Sequence, residues 1–291
     1  MLKLTSPSTI RYIMDKYGFR FSKSLGQNFL IDEGTVNRIV MNAEVGPGDV
    51  VLEVGPGIGV MTQVLAAHAE KVVAVEIDSS LLPVLAETLE GCHNVTVVHG
   101  DILEVDVRAL IAEHFGDRKP KVVANLPYYV TTPILMRFLE EQLPVSEIVV
   151  MIQKEVAERM TASPSTKAYG SLSIAVQYYC EAAVIQKVPP TVFMPQPNVE
   201  SLVIRLKLRD QPCVALDDPD FFFKLVKAAF GQRRKTLLNA LSAGLAMPKD
   251  RVLAALEAVE IAPNLRGEAL TIESFARLSN AFGQLDADPG H

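Results

Sequence analysis

The sequence predicts an α/β fold, a seven-stranded doubly wound sheet followed by a small all-helical region, on three observations. From residue 49 onward, short β-branched runs alternate with helix-like stretches at the spacing of repeated βα units. The runs VVLEV, VVAVEI and VVAN are apolar nearly throughout, as strands covered on both faces must be. After Leu208 the strand pattern stops and helical periodicity takes over.

The strands are expected at Asp49–Val54, Lys71–Ile77, Val95–His99, Lys121–Ala124 and Glu147–Ile152. Right-handed crossovers between them imply a parallel sheet. Ala182–Val188 and Ser201–Leu208, joined by the Pro-rich loop Pro189–Asn198, complete the seven as an antiparallel hairpin. The stretch DQPCVALDDPD reads as a linker ending in a helix N-cap, with Pro219 in the first turn. Phe222, Leu225, Val226 and Ala229 then share one helix face, with a break at Gly231, and further helices are expected around Leu237–Leu241, Asp250–Ala258 and Glu273–Phe282. Two domains follow: residues 1–208, with an N-terminal helical extension over 1–45, and residues 209–291.

Composition narrows the function classes. With 49% apolar residues in a 291-residue chain there is material for a sizeable core. No apolar run reaches membrane-spanning length, and the N-terminus lacks the pattern of a signal peptide. Cys92, Cys180 and Cys213 are far apart and odd in number, which suggests neither a disulfide framework nor a metal site. A reducing cytoplasm is the expected compartment, and no metal is expected. The net charge of −6 argues against indiscriminate nucleic-acid binding. Two segments are nonetheless basic. Residues 1–31 carry Lys3, Arg11, Lys16, Arg20 and Lys23, and residues 221–240 carry Lys224, Lys227, Arg233, Arg234 and Lys235 with no acid.

The segment VLEVGPGIGVMTQVL sets Gly55, Gly57 and Gly59 between a strand and a helix. Glycines there permit a tight turn and close approach to a ligand. About 20 residues on, Glu76 ends the second strand, where a carboxylate can accept hydrogen bonds from ribose hydroxyls. Asp101, after the third strand, can accept one from an adenine amine, and Ile77 and Ile102 are placed to sandwich the ring. These features suit an adenosine-containing cofactor. Up to Glu76 a nicotinamide dinucleotide fits as well.

The next motif separates the two. The fourth strand runs into Asn125-Leu126-Pro127-Tyr128. The exocyclic amine of adenine is a poor nucleophile because its lone pair is delocalised into the ring. Two acceptors that grip its hydrogens can draw the lone pair out. The Asn125 side-chain oxygen is one and the Leu126 carbonyl the other. Pro127 restrains the turn and removes a competing donor, and Tyr128 offers a face for stacking. Such contacts strengthen as positive charge develops on nitrogen. Phe193, in the Pro-rich loop, is the candidate for the opposite face of the base. The target adenine must be unpaired or flipped out, and the basic segments can hold flanking phosphates.

With KSLGQNFLID (Lys23–Asp32), EVGPGIG (Glu53–Gly59), VEID (Val75–Asp78), GDIL (Gly100–Leu103), NLPYYVTTPIL (Asn125–Leu135), FMPQPNVES (Phe193–Ser201) and AFGQRRKTLLNAL (Ala229–Leu241), the sequence resembles the ribosomal RNA adenine dimethyltransferases, the KsgA/RsmA family, over nearly its whole length. The resemblance implies a Rossmann-like, S-adenosylmethionine-dependent methyltransferase core with S-adenosylhomocysteine as product, and a C-terminal helical RNA-binding domain. It implies dimethylation of the N6 amines of two adjacent adenosines near the 3′ end of small-subunit (16S) ribosomal RNA. It also implies that the GQNFL element closes over the cofactor, with Asn28 and Leu30 touching it beside Gly55, Glu76, Asp101 and Asn125. The implied partner is a late assembly intermediate of the small ribosomal subunit, and a monomer free of membranes is expected. Four other readings stay open: a large-subunit methyltransferase of the macrolide-resistance type, a DNA adenine methyltransferase, a non-catalytic assembly factor and a nicotinamide-dependent dehydrogenase.

Overall fold

The computed structural model describes residues 2–18 and 28–287. The chain divides into two compact units. One comprises the described parts of Met1–Ala157 with Glu181–Leu208, the other Glu158–Cys180 with those of Arg209–His291.

In the first unit, helix α1 (Pro7–Tyr17) precedes strand β1 (Phe29–Leu30) and helix α2 (Glu33–Asn42). The βα alternation then runs β2 (Val50–Val54), α3 (Val60–His68), β3 (Lys71–Glu76), α4 (Leu82–Thr88), β4 (Val95–His99), α5 (Val107–Phe115), β5 (Lys121–Asn125), α6 (Thr131–Glu140) and β6 (Glu147–Gln153). Side chains mark several helix starts: Asp32 accepts from Thr35 N at 2.7 Å, and Asp106 from Ala109 N at 2.9 Å. Helix α7 (Lys154–Met160) carries the chain into the second unit, where α8 (Ser171–Tyr179) lies. Strands β7 (Cys180–Val188), β8 (Phe193–Met194) and β9 (Ser201–Leu208) return to the first.

The seven-stranded sheet has the order β4-β3-β2-β5-β6-β9-β7. Strands β2 to β6 pair in parallel, and β9 runs antiparallel to β6, with Ser201 opposite Gln153. All seven expected strands are present, two with the expected bounds and five with one end moved by one or two residues. The sheet grows from β2 to β3 and β4 on one side, and to β5 and beyond on the other. The reversal between β2 and β5 is a topological switch point, outside whose carboxyl edge such sheets bind ligands. Val51, Val72, Val123, Val149 and Val203 of the sheet share a buried core with Ile10, Ile13, Val36 and Ile39 of the N-terminal helices.

One pairing was not expected from the sequence. Strand β1 pairs antiparallel with β8, Leu30 opposite Phe193 and Phe29 opposite Met194. Two residues are too few for an alternation pattern to show.

The second unit gathers α8, α9 (Pro219–Gly231), α10 (Leu237–Leu245), α11 (Lys249–Ala258) and α12 (Ile272–Ala287). Asp218 caps α9 by accepting from Phe221 N at 3.0 Å, with Pro219 in the first turn. Phe222, Leu225, Val226 and Ala229 are all buried. The boundary expected at residue 208 is one of three, because residues 158–180 fold with the C-terminal helices and not with the sheet. Tyr169, Ile174 and Tyr178 carry this segment into a core shared with Phe222, Leu225 and Phe275, and Tyr169 donates its hydroxyl to Leu270 O at 3.0 Å. No helix is long and apolar enough to cross a membrane among the described residues.

Candidate active site

A cleft opens at the switch point, where the carboxyl ends of β2, β3 and β5 meet. Its floor is the glycine turn after β2. Gly55 has φ 69° and Gly57 φ 60°, both in the left-handed region that favours glycine. A Cβ at Gly57 would stand 2.9 Å from the Phe29 ring. Gly59, at φ 88°, starts α3. Gly55, Gly57 and Ile58 line the cleft, as do Asn28, Phe29 and Leu30 of the β1 segment. The β1–β8 pairing explains the latter placement, since it fixes Leu30 beside Phe193, another cleft residue.

Glu76 closes one side. Its carboxylate is 4% exposed and held at both oxygens, Oε2 accepting from Gly57 N at 3.1 Å and Oε1 from Asp78 N at 2.9 Å. Burial raises its pKa against the lowering effect of these backbone donors. A carboxylate has about four lone-pair sites, so two backbone donors leave room for hydroxyl donors from a ligand. Ile77, exposed, lies on the same wall.

Glu53 is a residue that sequence reasoning passed over. It is 1% exposed, lines the cleft, and its Oε2 has no hydrogen-bond partner among the described residues. Burial pushes its pKa up to about 8, with the nearby Thr62 hydroxyl opposing the shift and the Glu76 charge adding to it. The signal was a lone acid inside the otherwise apolar run VVLEV.

The opposite side is uncharged. Asn125 ends β5 and donates from Nδ2 to Asn28 O at 3.2 Å. That contact leaves the side-chain oxygen uncommitted to Asn28, and Asn125 lines the cleft. Leu126 donates its N–H to Met151 O at 3.3 Å, while its carbonyl accepts no hydrogen bond among the described residues. Pro127 O accepts from Val130 N at 3.2 Å and from the Thr131 hydroxyl at 3.0 Å, which fixes the turn. Tyr128 is half-buried and Tyr129 58% exposed, and both line the cleft. Phe193 is buried in the core shared with the N-terminal helices and also forms part of the cleft wall.

Two sequence candidates stand elsewhere. Asp101 and Ile102 are not among the cleft-lining residues. Asp101 Oδ1 accepts from Leu103 N at 2.8 Å, and Ile102 is buried with its carbonyl held by the Arg137 guanidinium. Lys224, Lys227, Arg233, Arg234 and Lys235 of the second unit are all exposed. Arg233 and Arg234 border a surface hollow with Lys167 and Arg266, two basic residues outside the segment that the sequence singled out. Arg233 is tied there to Glu268 at 3.2 Å. Arg20 and Lys23 lie outside the described residues.

Comparison with known proteins agrees with this geometry. Residues 18–284 match the family model described as ribosomal RNA adenine dimethylase. A protein of Alkaliphilus metalliredigens (strain QYMF) called Ribosomal RNA small subunit methyltransferase A is 57% identical, over 96% of this chain and 98% of its own length. A Bacillus pumilus (strain SAFR-032) protein of the same name is 55% identical over 96% and 97%. Among solved structures, a dimethyladenosine transferase from Plasmodium falciparum superposes with a TM-score of 0.74 at 25% identity, covering 88% of this chain and 98% of that one. The 23S rRNA methyltransferase ErmE gives 0.67 at 27% identity, over 88% and 100%. With a switch-point cleft, an acid-lined glycine turn and an Asn-Leu-Pro-Tyr edge, matched along almost its full length, the chain belongs to the ribosomal RNA adenine dimethylase family.

Proposed function

We propose that this protein uses S-adenosylmethionine to dimethylate the N6 amines of two adjacent adenosines near the 3′ end of small-subunit ribosomal RNA. The observation that carries the reading is the state of the Asn125–Leu126 acceptors. One N–H of the Asn125 amide is engaged by Asn28 O, the Leu126 carbonyl accepts nothing among the described residues, and both residues line the cleft beside Tyr128, so the two oxygens are candidates to receive one amino group.

The acidic end of the cleft suits a cationic, adenosine-containing donor. Glu53 offers a buried oxygen with no partner among the described residues, Glu76 a carboxylate held in place by backbone amides, and the glycine turn a floor where a Cβ at Gly57 would intrude. Bound there, S-adenosylmethionine supplies an electrophilic methyl group and leaves as S-adenosylhomocysteine. Glu76 would accept from the ribose hydroxyls, with Gly55, Gly57, Ile77, Asn28 and Leu30 against the rest of the molecule. Asp101 and Ile102 are assigned to the adenine end on sequence alone.

At the other end Tyr128 and Phe193 would stack on the target base. Asn125 Oδ1 and Leu126 O would accept its two amine hydrogens, localising the lone pair as the methyl group arrives. The proton released from the alkylated nitrogen is acidic enough to pass to water, so no general base is required. Lys224, Lys227, Arg233, Arg234 and Lys235 would hold phosphates flanking the target, with Lys167 and Arg266 extending that surface. Arg20 and Lys23 are proposed for the same role from the sequence.

Identity of 54–57% to proteins named for the small subunit, against 27% to ErmE, favours the small-subunit substrate. The expected partner is a late assembly intermediate of that subunit, met in the cytoplasm by a monomeric enzyme. The test is mass spectrometry of ribosomal RNA after incubation of unmethylated small and large subunits with protein and cofactor. Dimethyladenosine pairs in small-subunit RNA alone are expected; label confined to the large subunit would overturn the assignment.

A further inference from the structure

We infer that Ser201 is a positioning residue for methyl transfer, which acts by pinning the phenol of Tyr128 so that its ring meets the target base in one orientation. The inference rests on the base-stacking role proposed above for Tyr128. The Tyr128 and Ser201 hydroxyls lie 2.8 Å apart. Ser201 is 0% exposed, and the residues that follow it in β9 are the buried, apolar Leu202, Val203 and Ile204. A hydroxyl in such a place costs stability unless it is partnered, and an apolar residue would serve the strand equally well. Its side-chain partner among the described residues is Tyr128.

The serine is itself held from two directions. It stands opposite Gln153 in the β6–β9 ladder. The preceding Glu200 is clamped to Lys154, whose N–H donates to Glu200 O at 3.0 Å and whose ammonium meets Glu200 Oε2 at 2.6 Å. The backbone around Tyr128 is fixed by the two donors to Pro127 O. The remaining freedom lies in the ring torsions, and the hydroxyl contact removes it at the far end of the ring. Burial raises the Tyr128 pKa, with the Ser201 contact opposing. The neighbouring Tyr129 is 58% exposed. Ordering a side chain in advance spares that loss when RNA arrives.

The test compares Ser201→Ala, Tyr128→Phe, the double variant and Ser201→Thr. It uses single-turnover methyl transfer to small subunits at saturating cofactor, with cofactor affinity measured by calorimetry. Each single change is expected to slow transfer about 3–10-fold and to leave cofactor affinity unchanged. The double variant should be no slower than either single one, and Ser201→Thr should restore the rate. Fluorine NMR of protein carrying fluorotyrosine, with Tyr128 assigned by its loss in Tyr128→Phe, reads the pinning without turnover. Its resonance should shift and broaden in Ser201→Ala and stay as in the parent in Ser201→Thr. An unchanged resonance, full-rate single variants, multiplying effects in the double variant or a fall in cofactor affinity would each overturn the inference. Absence of methyl transfer by the parent protein would instead overturn the functional reading, while the fluorine spectrum still judged the pinning.

Discussion

The two ends of the cleft are built from opposite materials. One end has two buried carboxyl groups, Glu53 and Glu76, on adjacent parallel strands, and both have raised pKa values. The other end carries no ionisable acid or base of ordinary strength: Asn125, the Leu126 carbonyl, Tyr128 and Phe193 make it. A buried carboxyl group attracts a cation at the cost of its own desolvation. Neutral acceptors can grip an amino group without protonating or repelling it. On the proposed function, that division suits the positively charged donor to one end and the uncharged base to the other, with methyl transfer where they meet.

The strongest way to break this comparison is at the neutral end. Asn125→Ala removes an acceptor whose contact grows in the transition state, so methyl transfer should slow by about 100-fold or more. Cofactor affinity should move far less. The strand β5 should stay intact, because Asn125 is its last residue and only half-buried. Single-turnover rates at saturating cofactor decide the matter; a variant that transfers methyl groups at the parent rate would show that the amine is activated by other groups.

At the acidic end the roles should reverse. Glu76→Ala should weaken S-adenosylmethionine binding about 10–100-fold through loss of charge-assisted hydrogen bonds, with a smaller change in the rate at saturation. Calorimetry on the variant gives the number directly. Affinity equal to that of the parent would remove the ribose assignment and, with it, the view that this end is the donor's.

The contrast also explains which parts of the molecule were legible in the sequence. Gly55, Gly57, Glu76 and Asn125 sit at strand ends or in the turn that follows one, and strands announce themselves by long apolar runs. Their placement followed from counting along the chain. The β1–β8 pair had no such run behind it, yet it is what brings Leu30 and Phe193 side by side. Nor could sequence show that Asn28 O engages the Asn125 amide, because a contact between residues nearly a hundred positions apart through one backbone carbonyl leaves no pattern. The segment 158–180 misled for a related reason. Its helix α8, SLSIAVQYY, is apolar nearly throughout, and such a stretch fits the core of either unit until Tyr169 and Tyr178 are seen among the C-terminal helices. The place of Asp101 after β4 points to a ligand contact, but the count along the chain does not show that one of its oxygens also caps the next turn.

The raised carboxyl pKa values sharpen the comparison further. Glu53 holds its proton up to about pH 8 in the ligand-free fold, well above the ordinary value of 4.5. Between those limits the folded state binds more protons than the unfolded one. The contribution to stability is therefore fully present below 4.5 and is lost as pH rises toward 8. A cation beside these groups lowers their pKa, so cofactor binding should release protons in the same window. Affinity should rise with pH by up to about tenfold per unit for one proton released, and level off above 8. Calorimetry at neutral pH in two buffers of different ionisation enthalpy reads the release, and Glu53→Gln should reduce it. Identical heats in the two buffers would contradict the assignment of the cationic donor to this end.

The smallest effect is expected from Asp101, and it tests how far the acidic end extends. Asp101 is not among the residues that line the cleft, and its Oδ1 is engaged by Leu103 N at 2.8 Å. If its remaining acceptor capacity serves the adenine amine, Asp101→Ala loses one hydrogen bond to a neutral group, which is worth about 1 kcal/mol or about fivefold in cofactor affinity. Loss of the local turn contact should lower thermal stability by a similar modest amount. Asp101→Asn keeps an acceptor for both partners and should recover most of each. A loss of cofactor affinity in Asp101→Ala as large as that in Glu76→Ala would mean that the acidic end runs through a third carboxylate, and that the cleft closes around β4 when the donor is bound.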